Sequence, residues 1–206
     1  MGESLSKSAV EPCACCGNTR KGRLEENADF AVPNFLSAFV KDEKKEKPVV
    51  VGDLTLSQAV FRGEIDLVEA KLQTYADFTK EHDVDKNTPV HWAAVKGHTE
   101  ILQILIEHQF PTSNKNKDGD TPLHWAASAG FAEAAERLIT TGKVETSPAN
   151  NDHTTPLHFA AAEGHLGVVK VLLDHAPNPS EQVNLRTKDK DTPLHWAAAT
   201  GNSAIV

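Results

Sequence analysis

One phrase, Thr-Pro-aliphatic-His, occurs four times in this chain of 206 residues, as Thr88-Pro89-Val90-His91, Thr121-Pro122-Leu123-His124, Thr155-Pro156-Leu157-His158 and Thr192-Pro193-Leu194-His195, at spacings of 33, 34 and 37. Each copy runs on through an aromatic residue, two alanines, two further residues and a glycine: W-A-A-V-K-G, W-A-A-S-A-G, F-A-A-A-E-G and W-A-A-A-T-G. A fixed period of this size marks a solenoid, in which no unit buries its own apolar face and each relies on its neighbour. A weaker copy, Leu54 to Gly63, aligns 34 residues before the first and lacks the Pro and the His, as a capping unit at the end of a stack does.

The residues of the phrase have local reasons to be where they are. Thr88, Thr121, Thr155 and Thr192 occupy N-cap positions, and the proline after each stands where a helix has no use for its N–H. Val90, Ala93 and Ala94 then share one helical face, as do Leu123, Ala126 and Ala127, and the small alanines allow close helix approach. Gly97, Gly130, Gly164 and Gly201 stop the helix in the left-handed conformation that glycine tolerates. A second helix follows in each complete unit, with Ile101, Leu102, Leu105 and Ile106, then Ala134, Ala135, Leu138 and Ile139, then Val168, Val169, Leu172 and Leu173 turned inward. Connecting segments such as Asn116 to Asp120 and Asn150 to Thr154 are turn-formers.

With a period near 33 and a T-P-L-H-x-A-A-x-x-G core, residues 54–206 resemble the ankyrin repeat. The resemblance implies an all-α ankyrin-repeat solenoid of helix-turn-helix units with β-hairpin fingers. The expected repeats are 54–86, 87–119, 120–153, 154–190 and an incomplete 191–206, within a domain over 51–206. The 37-residue interval reads as a loop insertion at Ala176 to Gln182. Residues 1–50 read as a largely disordered tail with a cysteine cluster and a short helix over 33–41, where Phe35, Leu36, Phe39 and Val40 either pack on the weak first repeat or serve as a linear motif. Because the fifth repeat stops at Val206, the pattern predicts a fragment of a longer ankyrin protein or a truncated gene product.

Charge narrows the partners. Lys and Arg number 21 against 29 Asp and Glu, a net −8, and the tail is neutral, so the excess belongs to the repeats. Such a surface does not suit nucleic acid, whose phosphates call for a basic stripe. No apolar run approaches the roughly 20 residues that span a bilayer, and no secretory signal is present, so the expected location is cytoplasmic, with nuclear or membrane-associated placement left open.

No catalytic, metal or cofactor constellation emerges, and the chain reads as non-enzymatic. His91, His124, His158 and His195 hold one repeat position, which implies one packing task, an imidazole bonded to neighbouring backbone, and not a metal cluster. His98 and His165 receive the same reading. Trp92, Trp125, Phe159 and Trp196 read as core between helical layers.

By the resemblance, partners dock on finger tips and first-helix surfaces. Here those positions are Asp85 and Asn87 with Val95 and Lys96; Asp118 and Asp120 with Ser128 and Ala129; Asp152 and Thr154 with Ala162 and Glu163; Asp189 and Asp191 with Ala199 and Thr200. The row is acidic, diluted by Lys86, Lys117, Lys188 and Lys190, and implies a groove for a basic or mixed-charge protein or peptide; the competing explanation is that Asp is simply good turn chemistry. At the N-terminus, Gly2 with Ser6 fits a coarse myristoylation pattern, from which Glu3 departs, and Cys13, Cys15 and Cys16 are candidate palmitate acceptors. Two acyl signals would give a stable anchor. The C-x-x-C pair lacks the second pair a zinc site needs. The leading expectation is an adaptor, scaffold or regulator; the alternatives are the N-terminal regulatory region of a larger enzyme, such as a membrane acyltransferase or kinase, and a lipid-anchored membrane scaffold.

Overall fold

In the computed structural model, residues 54–74 and 81–206 are described. The tail over 1–50, its helix over 33–41 and its acylation candidates Gly2, Cys13, Cys15 and Cys16 lie outside them. Among the described residues ten helices follow in order: α1 (Leu56–Arg62), α2 (Ile65–Leu72), α3 (Pro89–Lys96), α4 (Thr99–Glu107), α5 (Pro122–Ala129), α6 (Ala132–Thr140), α7 (Pro156–Glu163), α8 (Leu166–Asp174), α9 (Pro179–Gln182) and α10 (Pro193–Thr200). Among the described residues no segment is a β-strand. The fold is an all-α ankyrin solenoid.

Two rows of helices make the stack. First helices pack in the order α1, α3, α5, α7, α10, and second helices in the order α2, α4, α6, α8, each against its partner in the same repeat. The core lies between the rows. Ile101, Leu102 and Leu105, Ala134, Ala135 and Leu138, and Val168, Val169 and Leu172 are all buried there. Burying a side chain such as Leu102 contributes about 2 kcal/mol, which no isolated helix of eight or nine residues collects.

Thr88, Thr121, Thr155 and Thr192 are N-caps with extended backbone, and proline follows each inside the first turn. The first repeat keeps the design with other residues. Thr55 caps α1 in a capping box with Gln58, the residue that stands where the later repeats have His. Thr55 lies 33 residues before Thr88 while Gly63 lies 34 before Gly97, because α1 has seven residues where α3 has eight.

A histidine joins each full repeat to the next. Nδ1 of His91 accepts the Thr88 N–H at 3.1 Å, which places the proton on Nε2, and that nitrogen donates to the Asp120 carbonyl at 3.1 Å. His124 accepts from Thr121 and donates to the Thr154 carbonyl, and His158 accepts from Thr155 and donates to the Asp191 carbonyl. His98 and His165 bond the carbonyls of Phe61 and Ser128 in the preceding repeat. The aromatic positions divide: Trp92 and Trp125 are buried and meet edge to face at 5.2 Å, whereas Phe159 and Trp196 are half-buried. Phe61 meets Trp92, and Phe159 meets Trp196, in the same edge-to-face manner.

Two smaller departures have local causes. The insertion forms a one-turn helix, α9, because Pro179 starts it and Gln182 is buried, donating to the Thr146 carbonyl at 3.3 Å. At the stops, glycine is required twice over. Gly130 has φ 81°, and a Cβ there would stand 2.7 Å from Cε1 of His165. Replacement by alanine should cost about 1–3 kcal/mol through left-handed strain and displaced packing, read as a lower urea midpoint at unchanged m-value.

Burial holds His91, His124 and His158 down at about 4, opposed in part by their bonds to backbone carbonyls. Their unfolded value is 6.5, so the unfolded chain binds the extra protons. Their contribution is complete above pH 6.5 and is lost as pH falls from 6.5 toward 4, by on the order of 1–2 kcal/mol per histidine between pH 7 and 5. Asp118 and Asp120, raised chiefly by burial, act in the opposite sense within the carboxylate range. Denaturation midpoints should fall from pH 7 to pH 5, and His124→Gln should flatten that dependence; an unchanged midpoint contradicts the neutral imidazole chain.

Candidate functional site

The fingers are five-residue turns. Each closes on two backbone bonds: one from Asp83 N–H to the Asn87 carbonyl, Asn116 to Asp120, Asn150 to Thr154 and Thr187 to Asp191, at 2.9–3.0 Å, and one back to the carbonyl of the first residue from the N–H of Lys86, Gly119, His153 and Lys190, at 2.9–3.1 Å. The expected hairpins are thus too short to form strands. The first residue of each turn also organises it from its side chain. Asp83 accepts the N–H groups of Asp85 and Asn87, Asn116 those of Asp118 and Asp120, and Asn150 those of Asp152 and Thr154, all near 2.9 Å. Thr187 does the same for Asp191 with its hydroxyl. The next-to-last turn residue has positive φ in every finger: Lys86 63°, Gly119 80°, His153 59° and Lys190 68°.

Neighbouring fingers are tied together. Lys117, Asn151 and Lys188 donate their backbone N–H groups to the carbonyls of Asp85, Asp118 and Asp152 at 2.9–3.0 Å. The last residue of one turn also meets the first of the next: Asn116 donates to the side chain of Asn87 at 3.0 Å, and Asn150 to the Asp120 carboxylate at 2.8 Å.

This geometry sorts the expected site residues into two columns. Asn87 and Thr154 are 1% and 4% exposed, and Asp120 and Asp191 are half-buried. Their carbonyls close the turns, and that of Thr154 also accepts from His124, so Asn87 and Thr154 lie in the interior of the stack. Asp118, Asp152 and Asp189 are exposed and Asp85 is half-buried, and these four form the outward column. On the first helices, Val95, Lys96, Ser128, Ala129 and Ala162 are half-buried, while Glu163, Ala199 and Thr200 are exposed.

The outward carboxylates differ in their surroundings. Lys117 Nζ lies 3.0 Å from Asp85 and Lys188 Nζ 3.3 Å from Asp152. The equivalent place over Asp118 belongs to Asn151, whose side-chain amide turns to the Lys117 carbonyl at 2.8 Å. Desolvation pushes the Asp118 carboxyl up, the charges of Asp120, Asp85 and Asp152 push it the same way, and the charge of the adjacent Lys117 opposes them in part. Sequence reading counted the acidic row but missed this asymmetry; the signal was the Asn at 151 where the neighbouring repeats have Lys. Among the described residues no group of three or more His, Cys, Asp or Glu is placed to hold a metal ion, and no helix is long and apolar enough to cross a membrane.

A family model described as ankyrin repeats (3 copies) matches residues 56–148 and 143–206. The chain belongs to the ankyrin-repeat family. Among curated proteins, this ankyrin chain is similar to the mouse (Mus musculus) 26S proteasome non-ATPase regulatory subunit 10, 31% identical over 66 residues, a match covering 32% of the chain and 29% of that protein. Ankyrin repeats are in general modules of protein–protein interaction.

Asn150 is the keystone of the central ankyrin finger, since it bonds three neighbours from one side chain. Asn150→Ala should lower stability by about 1–3 kcal/mol and raise amide exchange at Asp152 and Thr154 more than in the helices, a pattern that hydrogen-exchange NMR resolves.

Proposed function

We propose that this chain is a non-enzymatic binding module whose outward finger column, with the adjoining first-helix surface, receives a basic or mixed-charge segment of a partner protein. The observation that carries the reading is the interrupted ion-pair row. Asp85 and Asp152 have their own lysines, whereas Asp118 stands among carboxylates with Asn151 in the lysine's place. The lysine contacts at Asp85 and Asp152, on either side, are of the kind a partner's cation would make at Asp118. The net charge of −8 disfavours nucleic acid as that partner. The proteasomal relative, named as a regulatory subunit without ATPase activity, is in keeping with a role exercised by binding, but the match spans under a third of either chain.

Charge at such a rim governs encounter and register more than total affinity. Binding of a lysine-rich peptide, followed by titration calorimetry, should weaken clearly between low and physiological salt. The double change Asp118→Lys with Asp152→Lys should weaken it by roughly three- to tenfold, the size of one or two exposed ion pairs and the repulsion that replaces them. A salt-insensitive affinity, or one indifferent to the charge reversal, rules the reading out.

A further inference from the structure

The position after each helix-stopping glycine performs one task in three of the four repeat junctions, and in the remaining one it does not. His98 lies 3.4 Å from the Phe61 carbonyl and His165 3.0 Å from that of Ser128, and Asn202 donates to the carbonyls of Ala161 and Ala162. In each case a side chain from one repeat supplies a donor to the carbonyl end of the preceding first helix, where backbone acceptors run out of intrahelical partners. The fourth junction has Phe131. Its ring packs against Gly97 as the His165 ring packs against Gly130, but a phenyl ring has no donor to give to the equivalent carbonyl, that of Val95. Phe131 is moreover 39% exposed.

Three features meet at this rim. The C-terminal end of α3 carries the negative end of the helix dipole, with Lys96 in its last turn, and a Val95 carbonyl to which no side chain of the next repeat donates. An aromatic face stands beside it in solvent. Glu100, in the first turn of α4, adds negative charge, while Glu133, in the first turn of α6, is paired with Arg137 at 3.2 Å. On the same row the molecule already seats a cation on a ring, because Lys96 Nζ lies 4.0 Å from the centre of Phe61. A planar cation that stacks on a ring and donates from its edge fits all three features, and that is a guanidinium. An ammonium, with its compact charge and strong hydration, fits them less well.

We infer that the Phe131 rim selects arginine over lysine in the segment bound by this protein, with the guanidinium stacked on the Phe131 ring and donating to the Val95 carbonyl. The inference rests on the reading of the acidic finger column as the docking surface for a basic segment. It adds a position and a side-chain preference that the finger carboxylates do not provide.

The test compares an arginine homopeptide with a lysine homopeptide of equal length, titrated into the 206-residue protein and into two variants. Phe131→His installs the donor that His98 and His165 supply, so it leaves the fold intact, which a melting curve verifies. The parent protein should prefer the arginine peptide, and Phe131→His should reduce that preference by about two- to fivefold, the size of an exposed cation–π contact. Asp118→Lys with Asp152→Lys should weaken both peptides alike and leave their ratio unchanged. An arginine preference that survives intact in Phe131→His, or equal affinity for the two peptides in the parent, overturns the inference while leaving the finger column standing. Failure of both peptides to bind the parent overturns both.

Discussion

Everything in this solenoid depends on one imidazole acting in two directions. His91, His124 and His158 accept an N–H from their own helix cap and donate to a carbonyl of the following finger, so each ring is a bond between repeats as well as a cap within one. The task demands a side chain with an acceptor and a donor at opposite ends of a rigid plane, and neutral histidine supplies both. Burial keeps these rings neutral, which is why the bonding pattern is stable near neutral pH. Because the capping threonine, the proline and the histidine are set by one helix start, the repeat phrase in the sequence is the written form of this arrangement.

The fingers follow from it. The carbonyls that accept from the histidines belong to Asp120, Thr154 and Asp191, the residues that close the turns. A turn residue whose backbone is held from behind by a histidine, and whose N–H is held by an Asn side chain, has little freedom left. The cost appears as positive φ at Lys86, His153 and Lys190, where only the second finger has the glycine that this conformation favours. A rigid row of turns then presents its outward carboxylates at a fixed register, which is the property a binding surface needs if charge is to specify alignment.

Most of the architecture was legible because it is written five times. Caps, stops, inward faces and the histidine's backbone bonds all follow from residue chemistry at a repeated position, and even Thr55 with Gln58 preserves the capping box after losing the motif. What was not legible depended on direction. Asp85 and Asn87 are two residues apart in one turn, yet one faces outward and the other is interior, because a five-residue turn closed by its own side chain reverses direction between them. Composition treats both as polar turn residues. Among the described residues the fingers form no strand, since their backbone pairing is confined to each tight turn and to a single bond between neighbouring turns. Likewise the insertion at 176–182 looked like loop, and only its contact with the Thr146 carbonyl shows why Gln182 ends a helical turn.

On the proposed reading, specificity resides where one repeat departs from its neighbours. A position whose side chain bonds the neighbouring repeat serves the stack, because a departure there would weaken a junction; where one repeat departs at such a position, that bond has been given up. Asn151 in the lysine column and Phe131 in the histidine column are two such departures. Each leaves unsupplied a contact that the neighbouring repeats make internally, a cation over a carboxylate in one case and a donor to a helix-end carbonyl in the other. Under the proposed function both omissions would be filled by the same chemistry, a positively charged donor from a partner, on the part of the chain that carries its entire net negative charge.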